Sequence, residues 1–239
     1  MEQQGHLDRG DGIRLAWARL DGRGPCVVFL PGLRSDMNGS KALAVRDWCA
    51  AEGRKMLRLD YSGHGASDGT FTDGGIGQWA SDAAAVIADQ VSGPILLIGS
   101  SMGGWIGLLL ARAMPARLLG YVGIAAAPDF TERLMWAKMA PAERAALLRD
   151  GELRIPSEYG DDMIITRHLI EDGRQNLVLE SPLVLPCPVR LLQGQCDPDV
   201  PWELALTLAA HVQSPDVQTI LIKDGDHHGQ RDSHPPAHA

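Results

Sequence analysis

The chain has 239 residues, of which 45% are hydrophobic and 22% are charged, and its formal net charge is −8. This length fits one α/β domain, and the hydrophobic fraction is large enough to form a buried core. The acidic balance argues against nucleic acid or an anionic membrane as the main partner. No run of 18 apolar residues occurs, so we expect no stable insertion into a membrane.

The N-terminal residues and the cysteines indicate a reduced intracellular protein. Residues 1–9 have neither a basic start nor an apolar core, so they are unlike a signal peptide. The cysteines lack CxxC spacing, which predicts free thiols instead of a disulfide framework or a zinc site; they are Cys26, Cys49, Cys187 and Cys196. We therefore expect a cytoplasmic location and no metal ion.

Strand and helix patterns alternate along the first half of the chain. An antiparallel edge strand is predicted for residues 13–20 and a buried strand for residues 26–30. The next predicted elements are a helix, a strand, a turn-rich loop and a second helix, at residues 41–51, 55–59, 60–69 and 76–91.

The most informative stretch is a strand, a tight turn and a helix around Ser101. Residues 95–98 are four apolar residues, and Gly99-Ser-Ser-Met-Gly103 forms a Gly-x-Ser-x-Gly frame before a helical pattern at 105–112. This context is the one in which such a motif exposes a nucleophilic serine at the start of a helix. The sequence therefore predicts Ser101 as a nucleophile held in a strained turn.

The second half predicts a cap and the rest of a parallel sheet. After a strand at 118–124, residues 128–181 show two helical stretches, 131–149 and 161–172, with Pro141 interrupting the first. Strands at 189–192 and 217–222 flank a helix at 202–210. We expect a single α/β domain over residues 1–239, with helices on both faces of a mostly parallel sheet and a helical cap at 128–181. The polar tail after residue 222 predicts that the final covering helix is missing.

A nucleophilic serine needs a base and an acid that orients the base. In this topology both follow the serine, on loops after late strands. Asp197 follows the strand at 189–192 and is the candidate acid, with Asp199 and Asp129 as alternatives. His227 follows the last strand and is the candidate base.

Other histidines fit the base less well. His228 is adjacent to His227, and His64 precedes the serine, which is the wrong order for this topology. The remaining histidines lie in a helix end or in the tail: His211, His234 and His238. The oxyanion needs two donors, for which we predict the N–H of Met102 and the N–H of Leu33 in the loop after the strand at 26–30.

A wider set of motifs resembles a known family. They are Leu30-Pro-Gly, Met37-Asn-Gly-Ser-Lys-Ala42, the loop at 60–69, Gly99-Ser-Ser-Met-Gly-Gly-Trp105, Ser181-Pro182, residues 186–192 and Val200-Pro-Trp202. In this order they resemble the α/β-hydrolase superfamily and, within it, the mitochondrial palmitoyl-protein thioesterases of the α/β-hydrolase-domain proteins and their bacterial relatives. The resemblance implies an S-depalmitoylase or carboxylesterase with Ser101, Asp197 and His227 as its triad. Without a mitochondrial-type presequence, a bacterial cytoplasmic protein is expected.

The sequence therefore predicts a serine hydrolase of carboxylic esters or thioesters that needs no cofactor. Its expected partner is a small acyl ester or acyl thioester, or an S-acylated protein, and a homo-oligomer is left open. Part of the apolar cap is expected to line an acyl pocket. Two alternatives stay open, namely a peptidase or C–C bond hydrolase with the same triad, and an inactive hydrolase-like binding module.

Overall fold

A computed structural model of the protein describes residues 1–155 and 162–227. The strands are β1 (Glu2–Asp8), β2 (Arg14–Leu20), β3 (Arg23–Leu30), β4 (Arg54–Leu59), β5 (Ile95–Ser100), β6 (Leu118–Ile124), β7 (Glu152–Ile155), β8 (Met163–Thr166), β9 (Leu183–Val184), β10 (Val189–Gly194), β11 (Val212–Gln213) and β12 (Val217–Ile222). The α-helices are α1 (Ser40–Ala51), α2 (Ile76–Gln90), α3 (Met102–Ala113), α4 (Pro141–Asp150), α5 (Arg167–Gln175) and α6 (Glu203–His211).

The centre of the described chain is an eight-stranded sheet in the order β1-β2-β4-β3-β5-β6-β10-β12. The pairs β1–β2 and β2–β4 are antiparallel, and the other neighbouring strands are parallel. The carboxyl ends of the parallel strands share one edge of the sheet, so the loops that follow them meet there. The mostly parallel sheet predicted from the sequence is confirmed, and β1 is an additional strand that was not predicted.

Strand β3 shows why helices cover both faces of the sheet. Val27 and Phe29 point into one cluster with helix α1, whereas Val28 and Leu30 join the main core with α2 and α3. Each of the four residues is at most 2% exposed. A strand buried on both faces needs a continuous apolar run, which is the pattern seen at residues 26–30.

The cap differs from the predicted pair of helices. Strands β7 and β8 form an antiparallel hairpin, with Leu153 opposite Ile165. The helical expectation for residues 161–172 is therefore wrong for residues 163–166, and α5 begins only at Arg167. Short apolar runs do not distinguish a strand from a helix by periodicity, and here the pairing with β7 decides. Residue 161 lies outside the described residues.

The first half of the cap is helical, as predicted, but in several pieces. A π-helical turn (Thr131–Met135) and a 3₁₀ turn (Trp136–Lys138) precede α4. Pro141 begins α4, where a missing N–H costs nothing, and the Glu143 carboxylate accepts the Ala140 N–H at 2.7 Å. The cap has a small core of its own, composed of Met139, Leu147, Ile165 and Ile170.

The last strand carries exposed apolar side chains, since Ile220 and Leu221 of β12 are 49% and 36% exposed. Residues 228–239, where we expected no helix, lie outside the described residues. The missing final helix and the homo-oligomer therefore stay predictions. None of the helices in the described part of the chain is long and apolar enough to cross a membrane.

Candidate active site

The backbone turns sharply at Ser101, between β5 and α3. Ser101 has φ 54° and ψ −119°, which is a rare conformation for a residue with a side chain. Its N–H donates to the carbonyl oxygen of Ile124 at 2.9 Å, and its carbonyl oxygen accepts the N–H groups of Gly104 and Ala127 at 2.9 and 3.1 Å. The strained turn is therefore present, and bonds to the loop and strand beside it hold it in place.

The two glycines of the motif sit where the chain tolerates no side chain. A Cβ added at Gly99 would lie 2.2 Å from the carbonyl oxygen of Gly103. A Cβ added at Gly103 would lie 2.1 Å from the carbonyl oxygen of Leu30. Because glycine lacks that carbon, α3 can begin directly against the end of β3.

Leu33 and Met102, the predicted oxyanion donors, line one cavity together with Ser101. Met102 is the first residue of α3, so its N–H has no partner inside the helix. In the described part of the chain, neither the Leu33 N–H nor the Met102 N–H donates to a protein acceptor. The arrangement leaves both donors available to a molecule in the cavity, and their role stays a prediction.

Asp197 and His227 form a hydrogen-bonded pair at the carboxyl edge of the sheet. His227 Nδ1 lies 2.8 Å from Asp197 Oδ2. The Asp197 side chain has no exposed surface, and the His227 side chain is 18% exposed. The other carboxylate oxygen, Oδ1, accepts the backbone N–H groups of Asp199 and Val200, each at 2.9 Å.

These hydrogen bonds keep the buried carboxylate ionised. Burial alone would raise the pKa of the Asp197 carboxyl. The hydrogen bonds from His227, Val200 and Asp199 together lower it by a larger amount, so the pKa lies below its ordinary value. An ionised carboxylate facing Nδ1 favours the imidazole tautomer with its proton on that nitrogen. The other ring nitrogen, Nε2, is then the basic one.

The alternative acids have other positions. The backbone N–H of Asp199 supports the Asp197 carboxylate, and the Asp199 side chain is exposed. Asp129 accepts the backbone N–H groups of Val178 and Leu179 at 2.9 and 3.0 Å, which links the loop after β6 to the segment after α5. Asp129 is thus placed as a structural residue.

The other candidate bases that the structure describes, His64 and His211, have contacts elsewhere in the fold. The His64 ring is buried against Tyr61, Phe71 and Trp79, with centroid distances of 5.6, 5.3 and 5.0 Å. Burial lowers the pKa of His64, which favours a neutral structural side chain. His211 Nε2 lies 2.7 Å from a backbone carbonyl oxygen. Three histidines considered from the sequence lie outside the described residues: His228, His234 and His238.

Two cavities meet at Ser101 and His227. The larger has a volume of about 370 Å³ and a mainly apolar wall, formed by Leu33, Phe130, Leu134, Met135, Met163 and Val200 among others. The smaller has a volume of about 140 Å³ and a mixed wall, in which Phe29, Pro31 and Ala42 lie beside Ser35, Asp36, Ser40, Lys41 and Ser100. Part of the apolar cap therefore faces the site, as expected, and another part forms the cap core.

Two residues of the site were missed from the sequence. Gln193 donates from Nε2 to Asp197 Oδ2 at 3.1 Å and to the Val200 carbonyl oxygen at 3.1 Å. A polar residue near the end of an otherwise apolar strand is a usable signal for such a role. Lys41 donates to the His227 carbonyl oxygen at 2.8 Å, and no local pattern in the sequence predicts this contact.

One group of side chains has the spacing of a metal site. Each side chain offers one ligand atom, and these atoms lie within 4.8 Å of one another; the residues are Asp197, Asp199 and His227. In Asp197 both carboxylate oxygens already accept hydrogen bonds, and His227 Nδ1 is bonded to one of them. The donor pattern therefore fits an oriented imidazole better than a metal centre.

Comparisons with known proteins define the family. Residues 24–158 match the family model described as serine aminopeptidase, S33. The chain is 39% identical over 223 residues to the mouse mitochondrial palmitoyl-protein thioesterase ABHD10, which covers 92% of this chain and 75% of that protein. The human protein of the same name is 36% identical over 223 residues, covering 92% and 72%.

Solved structures agree with this assignment. A hydrolase from Agrobacterium vitis S4 is 40% identical with a TM-score of 0.91, over 95% of this chain and 92% of that one. Mouse α/β-hydrolase domain-containing protein 10 is 37% identical with a TM-score of 0.87, over 95% and 91%. The chain belongs to the α/β-hydrolase superfamily, in the family whose model is described as serine aminopeptidase, S33. The resemblance seen in the sequence is confirmed, and so is the expectation of a hydrolase.

The expected cytoplasmic location is contradicted by the same comparisons. The mouse, rat, cattle and human relatives are all named as mitochondrial proteins. The expectation relied on the composition of the first residues and on the spacing of the cysteines, and neither of these decides where a protein of this family resides.

Proposed function

We propose that this protein is a serine hydrolase that cleaves carboxylic esters or thioesters through a covalent acyl-enzyme. One observation carries the proposal: Ser101, in its strained turn, faces the same two cavities as His227, whose Nδ1 is bonded to the buried carboxylate of Asp197. A nucleophile, a base and a group that orients the base are the minimum for activating a hydroxyl.

The acylation step assigns one role to each group. His227 Nε2 takes the proton of Ser101 Oγ as the oxygen attacks the acyl carbon. The resulting oxyanion accepts hydrogen bonds from the N–H groups of Leu33 and Met102. The imidazolium, stabilised by Asp197, then gives its proton to the leaving alkoxide or thiolate as the bond to the acyl carbon breaks.

Deacylation repeats these steps with water as the nucleophile. His227 Nε2 removes a proton from water, whose oxygen attacks the acyl carbon of the acyl-Ser101 ester. Collapse of the second tetrahedral intermediate returns the proton to Ser101 Oγ and releases the carboxylic acid.

The two cavities support a division of the substrate between them. The apolar cavity of about 370 Å³ suits an acyl chain, because burying apolar surface is favourable and its wall includes Leu134, Met135 and Met163. The smaller cavity of about 140 Å³ has the polar side chains of Ser35, Asp36 and Lys41 in its mixed wall, and it suits the alcohol or thiol side of the scissile bond. The similar proteins named palmitoyl-protein thioesterases support a long-chain acyl thioester, including an S-acylated protein, as the substrate class.

A peptidase is the second candidate, favoured by the description of the matching family as a serine aminopeptidase. An aminopeptidase needs an acidic group to hold the α-ammonium of its substrate. Asp36 lines the smaller cavity and Asp199 lines the larger one, so each cavity has an acidic side chain in its wall.

Three assays on the same purified protein separate these functions. A fluorophosphonate probe should label the wild type and fail to label Ser101→Ala, because it reacts only with an activated serine. Acyl esters and acyl thioesters of increasing chain length should be hydrolysed, while aminoacyl p-nitroanilides should not. Cleavage of the anilides alone would support the peptidase, and a lack of both labelling and turnover would support an inactive binding module.

A further inference from the structure

Lys41 joins three parts of the candidate site that are distant in sequence. Its Nζ lies 2.8 Å from the carbonyl oxygen of His227 and 3.1 Å from Ser100 Oγ. Lys41 is in the first turn of α1, Ser100 ends β5 directly before Ser101, and His227 lies beyond β12. One ammonium group thus contacts both the nucleophile segment and the main chain of the histidine.

The loops that carry Asp197 and His227 are already bonded to each other. The Gln195 N–H donates to the Ile222 carbonyl oxygen at 2.9 Å, and the Cys196 N–H donates to that of Gly225 at 3.0 Å. Together with the bond between Asp197 and His227, these contacts make the acid and the base one unit. The distance from that unit to Ser101 must be set by contacts that cross between the loops and the nucleophile segment, and Lys41 provides such a contact.

Lys41 is held in a partly enclosed position. Its side chain is partly buried in the wall of the smaller cavity. Burial lowers the pKa of Lys41, and the nearby carboxylates of Asp197 and Asp226 offset only part of this effect, so the pKa lies below its ordinary value. A hydrogen bond from a charged donor is stronger than a neutral one, and at a partly buried position it is less weakened by water.

We propose that Lys41 is a positioning residue, which fixes the His227 main chain relative to Ser101 so that the imidazole stays within reach of the Ser101 hydroxyl. This inference rests on the proposed serine hydrolase function. Lys41 contacts no reacting atom in this role and acts through His227. A base displaced by about 1 Å can cost about 10²-fold in rate, so loss of the contact should appear in kcat.

The test compares Lys41→Met, which keeps most of the aliphatic stem, with Lys41→Arg, which restores the charge and the donors. Lys55→Met is the matched control, because Lys55 is exposed on β4. With a p-nitrophenyl ester we expect Lys41→Met to lower kcat by about 10- to 100-fold with little change in KM. Lys41→Arg should recover most of that loss, and Lys55→Met should behave as the wild type.

A spectroscopic measurement reports on the same contact without turnover. In the wild type, the His227 Nδ1 proton bonded to Asp197 should give a downfield proton NMR signal. The signal should broaden or vanish in Lys41→Met, because a less fixed loop exchanges this proton faster, and it should return in Lys41→Arg. Thermal unfolding checks that each variant is folded, and Lys41→Gln replaces Lys41→Met if the latter is not.

Three results would overturn the inference. The first is a folded Lys41→Met or Lys41→Gln with wild-type kcat and an unchanged signal. The second is a rise in KM that depends on the leaving group, which would place Lys41 in substrate binding. The third is a Lys41→Arg variant as slow as Lys41→Met. If the wild type hydrolyses neither esters nor thioesters, the proposed function fails. That failure is seen in the wild type, so it can be distinguished from a failure of the Lys41 proposal, which is seen only in the variants.

Discussion

The substitution Asp197→Asn tests the orientation of the base. In the structure, Asp197 Oδ1 accepts two backbone N–H groups, and Oδ2 accepts from His227 Nδ1 and Gln193 Nε2. In the asparagine variant, the amide oxygen can still accept the N–H groups of Asp199 and Val200, as Oδ1 does in the wild type. The amide NH₂ group then takes the place of Oδ2. A donor would then face His227 Nδ1, which has to become an acceptor.

The rotated amide changes the tautomer of the imidazole. With Nδ1 accepting, Nε2 carries the proton and can no longer take one from Ser101. The same change in a serine protease lowers kcat about 10⁴-fold, which corresponds to about 5.5 kcal/mol of transition-state stabilisation. We expect a loss of this size in kcat for Asp197→Asn, with the fold retained.

The assay is the steady-state hydrolysis of an acyl ester, with circular dichroism to check the fold. Asp199→Asn is the informative comparison, since Asp199 is the nearest alternative acid, and it should lose far less activity. A folded Asp197→Asn enzyme that keeps more than about a tenth of the wild-type kcat would refute the reasoning. So would an Asp199→Asn variant that is the more impaired of the two.

The wild type and Asp197→Asn should also differ in their stability at acid pH. The folded-state pKa of Asp197 lies below its ordinary value. The ionised carboxylate therefore contributes stability above the unfolded pKa of about 3.9, and this contribution is lost as pH falls below that value. Chemical unfolding of the wild type at a series of pH values should show this loss, and Asp197→Asn should lack that component.

Three further outcomes follow from the same site. Ser101→Ala should lose turnover and fluorophosphonate labelling while staying folded, whereas Ser100→Ala should still be labelled, because its side chain is not at the apex of the turn. His227→Ala should be nearly as inactive as Ser101→Ala, and His228→Ala should retain much of the activity, because His227 is the histidine bonded to Asp197. A His227→Ala variant with wild-type turnover would contradict this. In a series of acyl esters, kcat/KM should rise by up to about fourfold per added methylene, which corresponds to about 0.8 kcal/mol. The rise should stop when the chain fills the apolar cavity. If kcat/KM did not depend on chain length, that cavity would not be the acyl site.

The sequence alone determined the elements whose cause is local. Around Ser101, an apolar run, two glycines and a helical pattern predict a strand, a tight turn and a helix, because a Cβ at Gly99 or Gly103 would collide with backbone atoms. The order of strands and helices likewise predicts the parallel sheet. In a parallel sheet the loops after successive strands meet at one edge, so Asp197 and His227 could be chosen by their place after a strand.

Contacts between distant segments were decided only by the tertiary structure. The hairpin of β7 and β8 forms because two short segments pair, and neither has a periodicity that identifies it as a strand. Lys41 and the His227 carbonyl oxygen are 186 residues apart in the chain and 2.8 Å apart in the fold. A flexible lysine side chain leaves no spacing rule in the sequence. Its partner is selected by how the start of α1, the end of β5 and the loop after β12 are arranged in three dimensions.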